Sequence, residues 1–124
     1  MSTVVVLGAS DNPARVSYQA IQRLLGQQYA VIPVNPKGGE ILGQTVVKEL
    51  SAIATPINTV TMYLGPDRQA AVLDDIVALK PGRVIFNPGA ENPSIYARLQ
   101  QAGIAVEEAC TLVLLSTRQF DLSA

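Results

Sequence analysis

Thr3-Val-Val-Val-Leu-Gly-Ala-Ser-Asp-Asn-Pro-Ala-Arg-Val-Ser-Tyr18 decides the architecture of this 124-residue chain. Thr3–Leu7 is an apolar, β-branched run that ends at Gly8. So short a run, with no polar alternation, predicts a strand buried on both faces, as in a parallel sheet covered by helices on each side. Val16, Ala20, Ile21, Leu24 and Leu25 then recur at helical spacing, with Arg23, Gln27 and Gln28 opposite. The opening unit is strand, glycine turn, helix.

Outward from this unit the pattern repeats. Ala30–Val34 reads as a second strand, stopped by Asn35-Pro36, and after a glycine-bearing loop residues 46–54 read as a short helix. Residues 59–64 form a third predicted strand, closed by Gly65-Pro66. Pro66 suits the first position of a helix, whose buried stripe is Ala70, Leu73, Ile76 and Val77. Lys80-Pro81-Gly82 ends that helix, Arg83–Phe86 is the fourth strand, and Asn87-Pro88-Gly89 turns the chain. Ile95, Leu99 and Ala102 mark another helix, ended by Gly103. Residues 104–107 are the fifth strand, and residues 112–115 begin a final helical turn.

Five alternations imply an α/β fold: a doubly wound, parallel five-stranded Rossmann-like sheet with helices on both faces. Right-handed crossovers lead to an expected strand order of 3-2-1-4-5. No repeat, linker or low-complexity tract interrupts the pattern, so residues 1–124 are read as a single domain.

Composition removes several function classes. With 48% hydrophobic and 15% charged residues, the chain is a globule and not a disordered segment. Nine Lys and Arg against ten Asp and Glu leave no basic stripe for nucleic acid. The sequence has no histidine, so no Ser-His-Asp or Cys-His relay and no phosphohistidine can be built from this chain alone. Cys110 is the one cysteine; it allows no intrachain disulfide and no thiol-rich zinc site, and it fits a reducing compartment. The N-terminal residues lack a signal-peptide pattern, and no apolar run approaches the roughly 20 residues of a membrane span. The expectation is a cytoplasmic protein with no metal site.

In such a sheet, ligands bind beyond the carboxyl ends of the strands. Three of the nine cations, Arg15, Lys37 and Arg68, fall in the loops there. The first loop has one glycine, Gly8, instead of the three of G-x-G-x-x-G, so it is a weak dinucleotide fingerprint. Gly8 still lets backbone approach a pyrophosphate, with Ser10, Ser17 and helix N-terminal amides as donors. The alternative is an ordinary turn into a helix capped by Asp11 or Asn12. The second loop discriminates better. An NAD site offers an acidic residue after strand 2 for the ribose 2′-hydroxyl, whereas this chain has Asn35 with Lys37 two residues on, and Glu40 only later. Lysine suits a phosphorylated ribose, the 2′-phosphate of NADP or the 3′-phosphate of coenzyme A, at about 1.5–3 kcal/mol if well formed. A solvated loop lysine is the competing reading.

Val6-Leu-Gly-Ala-Ser-Asp-Asn-Pro-Ala-Arg-Val-Ser-Tyr18, Val31-Ile-Pro-Val-Asn-Pro-Lys37 and Ile41-Leu-Gly43 together resemble the small stand-alone CoA-binding domain proteins. These are similar to the N-terminal CoA-binding domain of the succinyl-CoA synthetase α subunit. The resemblance covers essentially the whole chain. It implies that Gly8, Ala9 and Ser10 meet the CoA pyrophosphate, that Arg15, Ser17 and Tyr18 close the first loop, and that Lys37, after Asn35 and Pro36, faces the 3′-phosphate. Leu64, Gly65 and Pro66 would flank the adenine and pantetheine path, with Arg68 on the same rim. Residues 87–91 correspond loosely to a glycine-containing turn of that family. Cys110 sits where a cysteine often follows the last strand. Val16 and Thr111 depart from it, since many members have proline at both positions.

No catalytic constellation accompanies these residues. Cys110 as a thiol in contact with CoA has no histidine to activate it and has Glu107 and Glu108 close in sequence, so a structural or bystander role is expected. Glu91 reads as a base at the pocket mouth or, more commonly, a solvated glutamate. Asp74-Asp75 and Glu107-Glu108 are adjacent pairs whose side chains diverge on a helix or a strand. The leading expectation is a module that binds CoA or an acyl-CoA and is not itself an enzyme. A small NADP-binding oxidoreductase competes with it, without a Tyr-x-x-x-Lys pair, and so does a ligand-free protein-interaction scaffold. Residues 112–115 either cover the sheet or meet another subunit, which leaves a homodimer or another protein partner open.

Overall fold

In the computed structural model, which describes residues 2–121, the chain alternates strands and helices as its sequence predicts. The elements are β1 (Thr3–Leu7), α1 (Val16–Gly26), β2 (Ala30–Val34), β3 (Glu40–Ile41), β4 (Gln44–Thr45), β5 (Thr59–Met62), α2 (Pro66–Leu79), β6 (Arg83–Phe86), α3 (Tyr96–Gln101), β7 (Ala105–Glu108) and α4 (Thr111–Ser116). One all-parallel sheet has the order β2-β1-β5-β6-β7, and β3 and β4 form a separate antiparallel hairpin.

The central strands β1, β5 and β6 are buried on both faces, and β1 is accordingly an almost unbroken apolar run. Val4, Val5 and Val6 are fully buried, and the period of two sends them to opposite sides. Val5, Leu7, Val60, Met62, Val84 and Phe86 pack with Ile76 of α2 and Leu99 of α3. Val4, Val6 and Ile85 pack with Ile21 and Leu24 of α1 and with Leu114 and Leu115 of α4. The final helical turn therefore covers the sheet with its leucines. Only Val113 of that segment is well exposed.

The structure corrects the expected strand order. The third long strand, β5, pairs with β1 and not with β2, giving 2-1-3-4-5 in place of 3-2-1-4-5. Residues 46–54 are also not a helix: Val47 forms a parallel bridge to Val34, and only Leu50–Ala52 make a 3₁₀ turn. The two corrections share one cause. The Val47 amide donates to the Pro33 carbonyl, so Pro33, which has no N–H of its own, turns its incomplete side toward the outer edge of β2. A full neighbouring strand there would lose a ladder bond, and proline confines a strand to a sheet edge. The β-branched Val46-Val47 pair takes that short edge contact before the chain crosses back to the other side of β1. Two smaller differences concern boundaries: β5 ends at Met62, and β7 runs one residue later than expected.

Candidate functional site

With this order the chain turns to opposite sides on leaving β1, and the crevice opens between the carboxyl ends of β1 and β5. Gly8 makes the opening possible. Its φ is +89°, and a β-carbon there would lie 3.1 Å from the Leu64 amide nitrogen and 3.2 Å from the Tyr63 carbonyl carbon. The Tyr63–Leu64 peptide at the end of β5 crowds that atom, and the positive φ strains any other residue, so the two strand ends approach this closely through glycine. From this point a cleft of about 1100 Å³ runs along the strand ends.

Along one wall lies the loop from β1 into α1. The Gly8 and Ala9 amides donate to the Val34 carbonyl, which ties the loop to β2. Neither expected cap closes the helix: the Asn12 side chain accepts from the Ala14 amide, the Ser10 hydroxyl accepts from the Asn12 amide, and α1 starts at Arg15 with no side-chain cap. The first helical bond back to Arg15 comes from Gln19. The amides of Val16, Ser17 and Tyr18 thus have no intrahelical acceptor, as at any uncapped helix start. Three convergent N–H groups with the positive end of the helix dipole suit an oxyanion.

The turn after β2 forms the second wall and is differently wired. Asn35 donates its side-chain amide to the Ala9 carbonyl at 2.6 Å, and its side-chain oxygen accepts from the Lys37 amide. Gly38 N–H bonds to the Asn35 carbonyl. The Lys37 and Gly38 amides are thus used inside the turn, and Lys37 is left exposed, its ammonium in no ion pair among the described residues. Arg15, Lys37 and Arg68 all line the cleft, and none forms an ion pair among the described residues.

Most of the residues singled out in sequence meet here: Gly8, Ala9, Ser10, Arg15, Ser17, Asn35, Pro36, Lys37, Leu64, Gly65 and Arg68 all line the cleft. Three do not. Tyr18 packs against the α1 and α4 side of the core, and Pro66 is the exposed first residue of α2. Half-buried Cys110 immediately precedes α4 and does not itself line the cleft, although it lies near Tyr63, which does. Pro88, from the turn over residues 87–91, also lines the cleft, as do Lys48 and Tyr63, which the sequence reading did not assign to the site. Lys48 was concealed by the expected helix over residues 46–54.

The carboxylates have separate attachments. Asp74 pairs with Arg98, Glu107 with Arg83, and Glu108 accepts from the Tyr96 hydroxyl. Glu91 accepts from the Gly89 amide at 2.8 Å. Behind the cleft, fully buried Gln69 donates to the Leu64 and Ala90 carbonyls, and buried Asn87 joins Thr61, the Met62 carbonyl and the Thr111 amide. These bonds hold the β5 and β6 turns in place. Burial pushes the Tyr63 phenol up to about 12, against the opposing influence of the neighbouring Thr61 and Thr111 hydroxyls. No group of three or more metal-ligating side chains is present among the described residues, and no helix there is long and apolar enough to cross a membrane.

Comparison with known proteins agrees with this geometry. A family model described as a CoA binding domain matches residues 2–116. The chain is 28% identical over 103 residues to the protein YneT of Bacillus subtilis (strain 168), spanning 83% of this chain and 76% of that one. A crystal structure of an uncharacterized protein superposes with a TM-score of 0.91 at 41% identity, over 97% of this chain and 98% of the other. The dinucleotide-forming acetyl-coenzyme A synthetase 1 of Ca. Korarchaeum cryptofilum, in complex with phosphate and ADP, matches with a TM-score of 0.76 at 21% identity. That likeness covers 87% of this chain and 25% of the longer one, and it shows the shared fold.

Proposed function

The chain belongs to the CoA binding domain family, which gives it a CoA-related binding role, and we propose that it holds CoA or an acyl-CoA in the cleft at the strand carboxyl ends without catalytic machinery of its own. One observation carries this reading: uncapped α1 amides and unpaired cations share the same cleft. The pyrophosphate would lie on the α1 amides, the adenosine toward the β2 turn, and the pantetheine between Gly8 and Leu64. A binding role without chemistry is supported by the lack of histidine and by the dispersed carboxylates. Cys110, off the cleft wall, is read as a bystander. The reading places a single-domain cytoplasmic protein in sensing or storage of CoA, or in its delivery to a partner protein.

Calorimetric titration with CoA, dephospho-CoA, NADP and NAD tests it. CoA should bind most tightly, and removal of its 3′-phosphate should weaken binding. Preference for NADP would transfer the cleft to a redox nucleotide. Binding of none of the four would leave an interaction scaffold.

A further inference from the structure

The edge contact that replaced a helix also delivers a cation that the fold alone does not require. Val47 lies abreast of Val34, so Lys48 stands at the carboxyl end of the sheet, one step beyond β2. Its stem crosses the β2 turn at Gly38: a β-carbon on Gly38, where φ is +68°, would lie only 2.8 Å from Lys48 Cε. Glycine in the turn leaves the space that the stem uses. Lys48 and Lys37 consequently border the same turn and the same cleft. Neither pairs with a carboxylate among the described residues, and the neighbouring Glu49 carboxylate accepts instead from the Ser51 hydroxyl.

We propose that Lys48 acts with Lys37 as a two-lysine clamp that makes the cleft selective for a ligand carrying a phosphate on its adenosine ribose. The inference rests on the CoA reading above and identifies the group that distinguishes CoA from dephospho-CoA. Three features support it. The α1 amides, one loop away, are the place for the pyrophosphate, which leaves the β2 end for the ribose. The Lys37 and Gly38 amides are already bonded to Asn35, so an anion at this turn draws chiefly on side chains. Finally, Glu40 and Glu49 also line the cleft. Their charge opposes an anion nearby, so a phosphate at this turn calls for more than one ammonium group.

The test is a pair of binding isotherms, for CoA and dephospho-CoA, on the full chain and on Lys48→Ala, Lys48→Arg and Lys37→Ala. Lys48 is exposed, and its replacement disturbs no core packing. Lys48→Ala should weaken CoA more than about 10-fold, the loss of one charge-assisted contact, and dephospho-CoA less than about 2-fold. Lys48→Arg should retain most of the CoA affinity, and Lys37→Ala should show the same ligand-selective loss. Equal losses for both ligands, or none for CoA, would overturn the clamp while leaving CoA binding intact. Failure of the unaltered chain to bind either ligand would overturn the CoA reading and the clamp with it.

Discussion

The two ends of the sheet use the same residue chemistry in opposite ways. At the amino end, Arg83 opens β6 and is 1% exposed. Its guanidinium donates to the Thr59 hydroxyl at 2.8 Å, to Glu107 at 3.2 Å and to the Phe120 carbonyl at 2.6 Å, and it lies 4.4 Å from the Phe120 ring centroid. At the carboxyl end, Arg15, Lys37, Lys48 and Arg68 border a cleft and pair with no carboxylate among the described residues. A buried cation whose three nitrogens each have an acceptor stabilises the fold and is out of reach of a ligand. Cations without partners keep their hydration and add little to stability, and they are free to exchange water for phosphate oxygens. The location of the site follows from this difference in commitment more than from charge itself, since Asp11, Glu40, Glu49, Asp67 and Asp75 line the same cleft.

The largest expected effect breaks the amino end. Arg83→Leu leaves the Phe120 carbonyl and the Glu107 carboxylate without their partner and takes one of two hydrogen bonds from the Thr59 hydroxyl, which still donates to Asn58. Removing one member of a buried ion pair costs about 3–5 kcal/mol, and the lower half of that range applies because Glu107 is 30% exposed. Urea unfolding should show this loss, while CoA affinity of the folded fraction changes less than about 2-fold, because that end touches no ligand. A large loss of affinity with unchanged stability would abolish the distinction between the two ends.

Gly8→Val acts in the opposite sense. A side chain at φ +89°, with Leu64 and Tyr63 backbone in its way, costs about 1–3 kcal/mol of stability and forces β1 and β5 apart at their carboxyl ends. Affinity for CoA should fall more than about 10-fold, which is more than 1.4 kcal/mol. Intact binding in the folded variant would place the ligand elsewhere than the Gly8–Leu64 crevice.

How much of this was readable from the sequence varies with the distance over which each signal acts. Thr3–Leu7, Ala30–Val34 and Arg83–Phe86 were legible because burial in the sheet leaves short, mostly apolar runs closed by turn residues. Arg15, Lys37 and Arg68 were legible as rim residues because each lies in the segment that follows a strand's carboxyl end. Strand order was misread even though Pro33 carried the clue: the proline says that β2 needs a free edge, but only the direction of its carbonyl says which edge. The apolar spacing of Val46, Val47, Leu50 and Ile53 is compatible with a helical turn, and only the tertiary contact to β2 converts it to extended chain. Lys48 was lost with it. The uncapped start of α1 was equally hidden, because Ser10, Asp11 and Asn12 all look like caps in one dimension. In the folded loop Ser10 and Asn12 accept from amides that precede the helix.

The smallest expected effect separates two tyrosines at the two ends. Tyr29, just before β2, donates its hydroxyl to Asp121 at 2.6 Å and packs edge-on against Phe120. The Tyr63 hydroxyl, beside the cleft, is buried and makes no hydrogen bond of good geometry. Both phenols are pushed up to about 12, chiefly by burial, with Asp121 adding to the rise at Tyr29. An unfolded tyrosine loses its proton near 10. Between 10 and about 12 the folded state therefore binds more protons than the unfolded one, and stability falls as pH rises through that window. Each Tyr→Phe substitution should make that decline shallower by removing one of the two contributions. At neutral pH the substitutions should differ: Tyr29→Phe gives up a hydrogen bond to a partly exposed carboxylate, about 0.5–1 kcal/mol, whereas Tyr63→Phe removes a buried unbonded group and leaves stability unchanged or slightly raised. Unfolding curves of the two variants at pH 7 and at alkaline pH measure this directly. A neutral-pH loss for Tyr63→Phe as large as that for Tyr29→Phe would show that the Thr61 or Thr111 hydroxyl does engage it, and that both tyrosines are held by partners.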